Sequence, residues 1–169
     1  ITSIKNFSNM FKDSIEFNQN ISNWNVSNIT DMSNMFDGAI QFNSDISNWD
    51  VSNVTNMSYM FRGATLFNKN LSYWDVQSVK QNGFNNIFDN CGLTKEDGML
   101  FSKNSEINYL INSNLTPSEK NIAWNNLWPK PEAITLKFTH KHATAYGPET
   151  SITPAVKIYK SRLLNNKVK

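Results

Sequence analysis

A period of 25 residues runs through the first half of this chain. Phe17, Phe42 and Phe67 recur in register, and other apolar residues follow them at the same spacing. A unit of this length cannot bury its own apolar side chains, so successive units must stack and share one core. The other columns in register are Asn18, Asn43 and Asn68; Ile21, Ile46 and Leu71; Trp24, Trp49 and Trp74; Val26, Val51 and Val76; and the pairs Met35-Phe36 and Met60-Phe61.

Partial copies of the unit stand at both ends of this repeat array. Ile4, Phe7 and Met10-Phe11 match the second half of the unit, and Phe84 with Ile87-Phe88 matches it again after a two-residue insertion. We therefore predict a repeat array at residues 1–92, made of a half coil and three 25-residue coils. Composition changes after it, which predicts a helical C-terminal cap at 93–130 and a strand with a basic extended tail at 131–169.

The spacing inside each unit predicts its secondary structure. Trp49 and Val51 alternate with the polar Asp50 and Ser52, as in a short strand, whereas the stretch 54–61 has apolar spacings of three and four, as in a helical or 3₁₀ turn. The predicted fold class is an α/β repeat solenoid, leucine-rich-repeat-like, with short parallel strands, short helical or 3₁₀ turns, a helical C-terminal cap and an extended tail.

Asparagine is the most unusual feature of the composition, with 27 of 169 residues. A side-chain amide both donates and accepts hydrogen bonds, so it can satisfy backbone groups in tight turns. We expect Asn18, Asn43 and Asn68 to form an internal ladder along the stack. Asn28 and Asn53 predict a second ladder, which the serine at position 78 interrupts.

The repeat phrases resemble a known family. FNQNISNWNVSNITDMSNMFDGA (17–39) and FNSDISNWDVSNVTNMSYMFRGA (42–64) are similar to the BspA-like leucine-rich-repeat surface proteins of the mycoplasma and listerial lipoprotein type. The resemblance covers roughly residues 1–93, and NCGLT at 90–94 resembles the end of such an array. It implies a right-handed solenoid on a cell or particle surface that binds other macromolecules, with no catalytic residues to carry over.

The residues after the array carry helix and strand signals. Thr116, Pro117 and Glu119 have the pattern of a capping box with proline in the first turn, which predicts a helix running to Trp128. Residues 133–140 alternate between apolar and polar side chains and predict a strand. The last 18 residues hold five basic side chains and no acid, which predicts an extended tail that becomes ordered by docking on an acidic surface.

Few residues offer metal or catalytic chemistry. Cys91 lies in a column of small residues, which predicts a buried structural thiol, and a single cysteine excludes an internal disulfide. His140 and His142 could share a metal on a strand, but they lack a nearby third ligand, so we expect no metal site. The chain has no glycine-rich phosphate loop, nucleophile elbow or paired carboxylates. We therefore expect no cofactor and no enzymatic activity.

Charge and hydropathy restrict the partners and the location. No apolar run reaches the ~18 residues of a membrane span, so we predict no membrane-spanning segment. Aromatic residues are sparse among the basic residues of the tail and the array is acidic, so we do not expect nucleic acid as a partner. The chain begins at Ile1 without a signal-like segment, and we interpret it as a processed or partial chain. We predict an extracellular or cell-surface location, with a virion or particle surface as the alternative.

These patterns predict a non-enzymatic, surface-exposed module for adhesion or interaction, whose partner is another protein or a surface macromolecule. The alternative is an architectural subunit of a virion or other particle coat, which docks on other subunits through its C-terminal third. The predicted binding face comprises Asn23, Asn25, Ser27, Asn48, Asp50, Ser52, Tyr73, Asp75 and Gln77. The predicted docking tail carries Lys157, Lys160, Arg162, Lys167 and Lys169.

Overall fold

The structure of the chain is a computed structural model that describes residues 4–94 and 104–128. The chain divides into two compact units, residues 1–129 and residues 130–169. All described residues belong to the first unit. The predicted strand at 133–140, the pair His140 and His142, and the docking tail lie outside the described residues.

The predicted α/β repeat solenoid with leucine-rich-repeat-like strands is wrong, because the described residues contain no strand. Their regular elements are the 3₁₀ helices Gln81–Phe84 and Gly92–Thr94, and the helices α1 (Asn104–Asn112) and α2 (Pro117–Asn126). Within the described part of the chain, strand-like pairing is limited to isolated parallel bridges that join Asn6 to Asp31 and Asp31 to Asn56. The 25-residue units do stack, but they are built from turns.

Side-chain turns interrupt the chain before a strand can form. In stretches such as residues 20–33, Asn and Asp side chains five and six residues apart each accept a hydrogen bond from the backbone N–H two residues later, which closes an Asx turn. Two or three residues between such corners are too few for a strand, and the alternation of Trp49 with Val51 comes from the corner between them. The pairs are Asn6–Ser8, Asn20–Ser22, Asn25–Ser27, Asp31–Ser33, Asp45–Ser47, Asp50–Ser52, Asn56–Ser58, Asn70–Ser72 and Asp75–Gln77.

The stretch predicted as a helical turn is a run of tight turns that also joins the units. In residues 32–39, the amides of Met35 and Asp37 close turns within the unit, whereas those of Asn34 and Phe36 donate to carbonyls of the next unit at 2.9 Å. The backbone amides thus alternate between closing a unit and joining it to its neighbour. The same pattern recurs at 7–14 and 57–64.

Two columns in these turns have a left-handed backbone, which explains part of the asparagine content. One column contains Asn9, Asn34, Tyr59 and Asn86, and the other contains Asp13, Gly38, Gly63 and Asn90, with φ between 52° and 72°. Asn, Asp and Gly tolerate this conformation far better than other residues do. Tyr59 is the exception, and its ring lies 4.7 Å from the guanidinium carbon of Arg62.

The predicted asparagine ladder exists, but it lies towards the surface. The side-chain oxygens of Asn18 and Asn43 accept from the backbone N–H groups of Asn43 and Asn68, at 2.8 and 3.2 Å. The second predicted ladder differs, because Asn53 donates to the carbonyl of Ser27 at 2.8 Å and not to Asn28. Side-chain amides therefore join the units by bonding to the backbone.

Stacked aromatic rings form the centre of the core. Phe11, Phe36, Phe61 and Phe88 lie one above another with ring centroids 5.6–5.9 Å apart. A second column, Phe17, Phe42 and Phe67, lies beside it, with Phe36 and Phe42 only 3.8 Å apart. These rings carry much of the hydrophobic stabilisation of the stack because large aromatic side chains bury large areas.

A tryptophan column adds a polar link between units. The indole N–H of Trp49 donates to the carbonyl of Ile21, and that of Trp74 donates to the carbonyl of Ile46, both at 3.1 Å. Each buried indole thus satisfies a buried carbonyl of the preceding unit. Trp24 is 37% exposed and makes no such bond within the described residues.

Helix α2 takes the place of a further unit at the C-terminal end of the array. Its Trp124 donates to the carbonyl of Leu71 at 2.8 Å, the position equivalent to Ile21 and Ile46, and its ring lies parallel to that of Trp74 at 6.3 Å. The predicted capping box of Thr116 with Glu119 is confirmed and fixes where this helix begins. α1 packs against α2 and against the 3₁₀ helix Gln81–Phe84.

The tryptophan column predicts that replacing a tryptophan by alanine lowers the free energy of unfolding by different amounts at different positions. Trp49 is 4% exposed with a bonded indole, so Trp49→Ala should lower the free energy of unfolding by about 3–5 kcal/mol. Trp24→Ala should cost less than about 2 kcal/mol, because its ring is partly in solvent already. Denaturant titration of both full-length variants measures this difference. Equal losses of unfolding free energy would contradict the different environments of the two tryptophans.

Candidate binding face

The predicted face is exposed or half-buried at all nine positions, but much of it maintains the turns. In its middle row, Asn25, Asp50 and Asp75 each accept the backbone N–H two residues later. Hydrogen bonds from the hydroxyl and the amide of Ser52 lower the pKa of Asp50. The middle row therefore presents to a partner only those atoms that its own turns leave unused.

The row of Asn23, Asn48 and Tyr73 changes character along the stack. Asn48 donates to the carbonyl of Ser22 at 3.1 Å and so joins two units. Tyr73 stands in the same column, but its ring is 91% exposed. The third unit thus presents an unpaired aromatic ring where the earlier units present amides.

Helix α2 contacts the part of the face that the third unit contributes. Asn121 accepts from the backbone N–H of Val76 at 2.8 Å and donates to Oδ1 of Asp75 at 3.1 Å. Lys120 donates to the backbone carbonyls of Gln77 and Val79. Asp75 and Gln77 therefore lie at a boundary between the array and the helix.

An open groove lies at this boundary, with a volume of about 390 Å³. The exposed Tyr73 and the buried Trp74, which is 2% exposed, both line it. The residues that line it are Ser72, Tyr73, Trp74, Asp75, Asn121 and Asn125. Four of these six residues were not among the predicted site residues, because the groove depends on where α2 packs.

A ladder of opposite charges stands on another part of the array. Arg62 binds the carboxylate of Asp37 through two hydrogen bonds, at 2.8 and 2.6 Å, and Lys12 lies 3.5 Å from the same group. The hydrogen bonds from Arg62 lower the pKa of Asp37, whose side chain is 7% exposed. The sequence signal for this ladder is a charge that alternates in sign at a spacing of 25 residues, and none of the predictions above used it.

Cys91 is buried, and burial raises the pKa of its thiol to about 11. Across residues 4–94 and 104–128, no three His, Cys, Asp or Glu side chains come together as metal ligands would. Neither described helix is long and apolar enough to cross a membrane.

The charge ladder predicts an acid-dependent loss of stability. Because the pKa of Asp37 lies below its ordinary 3.8 in the folded chain, its contribution is complete above that pH and disappears as the pH falls further. Asp37→Asn should cost about 1–3 kcal/mol at neutral pH. Denaturant titrations at neutral and acid pH should show that the difference in unfolding free energy between the parent chain and Asp37→Asn becomes smaller in acid. The exposed Glu16→Gln is the control, and a pH-independent difference for Asp37→Asn would contradict the ion pair.

Comparison with known proteins identifies the family but no activity. Neither a curated protein nor a solved structure matches the chain. A family model described as "Mycoplasma protein of unknown function, DUF285" matches residues 1–101, which include every stacked unit. The chain therefore belongs to the DUF285 family.

Proposed function

We propose that this chain is a non-enzymatic binding module that acts at an extracellular or cell surface and recognises another macromolecule. The observation that carries the proposal is the exposed Tyr73 ring beside the groove, at the end of a row of outward side chains. Tyrosine is enriched among the residues that carry most of the binding energy at recognition surfaces.

The separation of core and surface supports this use. Apart from the partly exposed Trp24, the aromatic and tryptophan columns lie inside, and the turn-forming Asn and Asp residues use one or two atoms internally. Side chains between the turns can therefore vary without loss of the stack, which is how repeat arrays acquire binding surfaces. The resemblance of the repeat phrases to BspA-like surface proteins supports the proposed location.

A second candidate is an architectural subunit of a virion or particle coat. The observation in its favour is the first half unit, where Ile4, Met10 and Ile15 are exposed beside the partly exposed Trp24. Such apolar side chains suit a surface that a neighbouring subunit covers. This candidate predicts that the chain self-associates or joins a larger particle in sedimentation.

Cell-binding measurements with matched variants test the first proposal. Fluorescently labelled chain is incubated with intact bacterial and animal cells, and the bound signal is titrated by flow cytometry. A face variant carries Asp50→Asn, Tyr73→Asn and Asp75→Asn, which keep side chains able to form the Asx turns and use the residue that the column already has at Asn23 and Asn48. We expect the affinity of this variant for cells to fall by about tenfold or more, because it loses the ring and two charges.

The control variant carries Glu16→Gln, Asp89→Asn and Tyr109→Asn, which change the charge equally and remove another exposed tyrosine. It should bind as the parent chain does. Equal weakening in both variants, or no saturable binding of the parent chain to any cell, would contradict the proposed function.

A further inference from the structure

The groove between the third unit and α2 exists because a helix stands where a further coil would stack. Trp124 reproduces the bond and the ring position of the tryptophan column. The backbone of α2, however, does not follow the Asx-turned path of a repeat unit. Space of about 390 Å³ therefore remains, lined by Tyr73 on the array and by Asn121 and Asn125 on the helix.

Tyr73 gives this space an apolar wall. Its ring is 91% exposed and makes neither a hydrogen bond nor a ring contact with any described residue. The column that it interrupts otherwise carries amides, and Asn48 uses its amide to bind the preceding unit. Tyr73 has no side-chain amide to make that hydrogen bond, and it presents a flat ring to solvent.

Unused polar atoms line the same groove as the ring. Ser22 and Ser52 donate their hydroxyls to their own Asx turns, whereas the hydroxyl of Ser72 has no such partner among the described residues. Oδ2 of Asp75 and the side-chain amide of Asn125 are likewise unpaired there. Asn121 and the amide of Gln77 fix the other oxygen of Asp75, so this carboxylate is held in place before any ligand arrives.

We propose that this groove binds a neutral saccharide, an assignment that rests on the proposed function and specifies its ligand. The Tyr73 ring packs against the C–H face of a pyranose, and Asp75, Asn125 and Ser72 hydrogen bond to neighbouring hydroxyls. Sugar hydroxyls both donate and accept, which suits a carboxylate, an amide and a hydroxyl placed together.

The lining of the groove favours this ligand class over others. It contains one acidic side chain and no basic one, so it does not attract phosphate or acidic sugars. The backbone N–H of Val76 already donates to Asn121, so the amide next to the groove is not free to pair with an extended peptide. Because the groove is open, a single sugar should bind weakly, with a Kd on the order of 1 mM.

Titration of the isotopically labelled full chain by NMR spectroscopy tests the assignment. The probes are glucose, galactose, mannose and N-acetylglucosamine, together with an uncharged Ala-Ser peptide. We expect at least one sugar to give saturable shifts at Ser72, Tyr73, Trp74 and the Asn125 amide, and the peptide to give none. Tyr73→Asn should abolish these shifts, whereas Tyr109→Asn, on α1, should preserve them.

The possible outcomes separate the two proposals. If no sugar gives saturable shifts, or if Tyr73→Asn leaves them intact, the saccharide assignment is wrong. Binding of the peptide alone also overturns it. Cell binding that depends on the face while no sugar binds would overturn this inference and leave the proposed function standing.

Discussion

Each repeat unit depends on its neighbour for both hydrogen-bond partners and packing surface. The indole N–H of Trp49 satisfies a carbonyl of the preceding unit, and the ring of Phe36 lies between Phe11 and Phe61. An unpaired buried carbonyl and a half-covered aromatic column would both be costly at the end of the stack. A structure of this kind therefore needs a substitute for the next unit, and helix α2 supplies one through Trp124.

Because α2 stands in for a further repeat unit, the same helix that stabilises the end of the array also forms one side of the proposed binding groove. Asn121 and Lys120 bond to the backbone of the last unit, which fixes α2 beside Tyr73 and Asp75. The helix satisfies the buried groups but cannot fill the whole space that a coil would fill. The groove that carries the proposed saccharide site thus follows from the way in which the array ends.

The sequence correctly predicted which columns of residues are buried, but it predicted the wrong backbone conformation between them. Periodicity alone identified the buried positions of Trp49 and Phe61, because stacking requires the same residue types at each turn. The strand prediction failed because a corner such as Asp50–Ser52 gives the same alternation of apolar and polar side chains as a strand does. The correct signal was the recurrence of Asn or Asp two residues before Ser, together with Asn or Gly at the left-handed positions.

The candidate site was less accessible from sequence. Tyr73 was identified because it occupies the same outward column as Asn23 and Asn48, but Asn121 and Asn125 carry no periodic signal. Their position beside Tyr73 depends on Trp124, which replaces a repeat tryptophan. Trp124 lies 50 residues beyond Trp74 and in a helix. Long-range packing of this kind has no local pattern to reveal it.

The most direct test compares two tryptophans of the C-terminal end. Trp124 donates to the carbonyl of Leu71, whereas the buried indole N–H of Trp128 has no partner among the described residues. The free energy of unfolding, measured by denaturant titration of the full chain, should fall by about 1–3 kcal/mol more for Trp124→Phe than for Trp128→Phe. An equal or larger loss for Trp128→Phe would contradict the account that α2 replaces a repeat unit through Trp124.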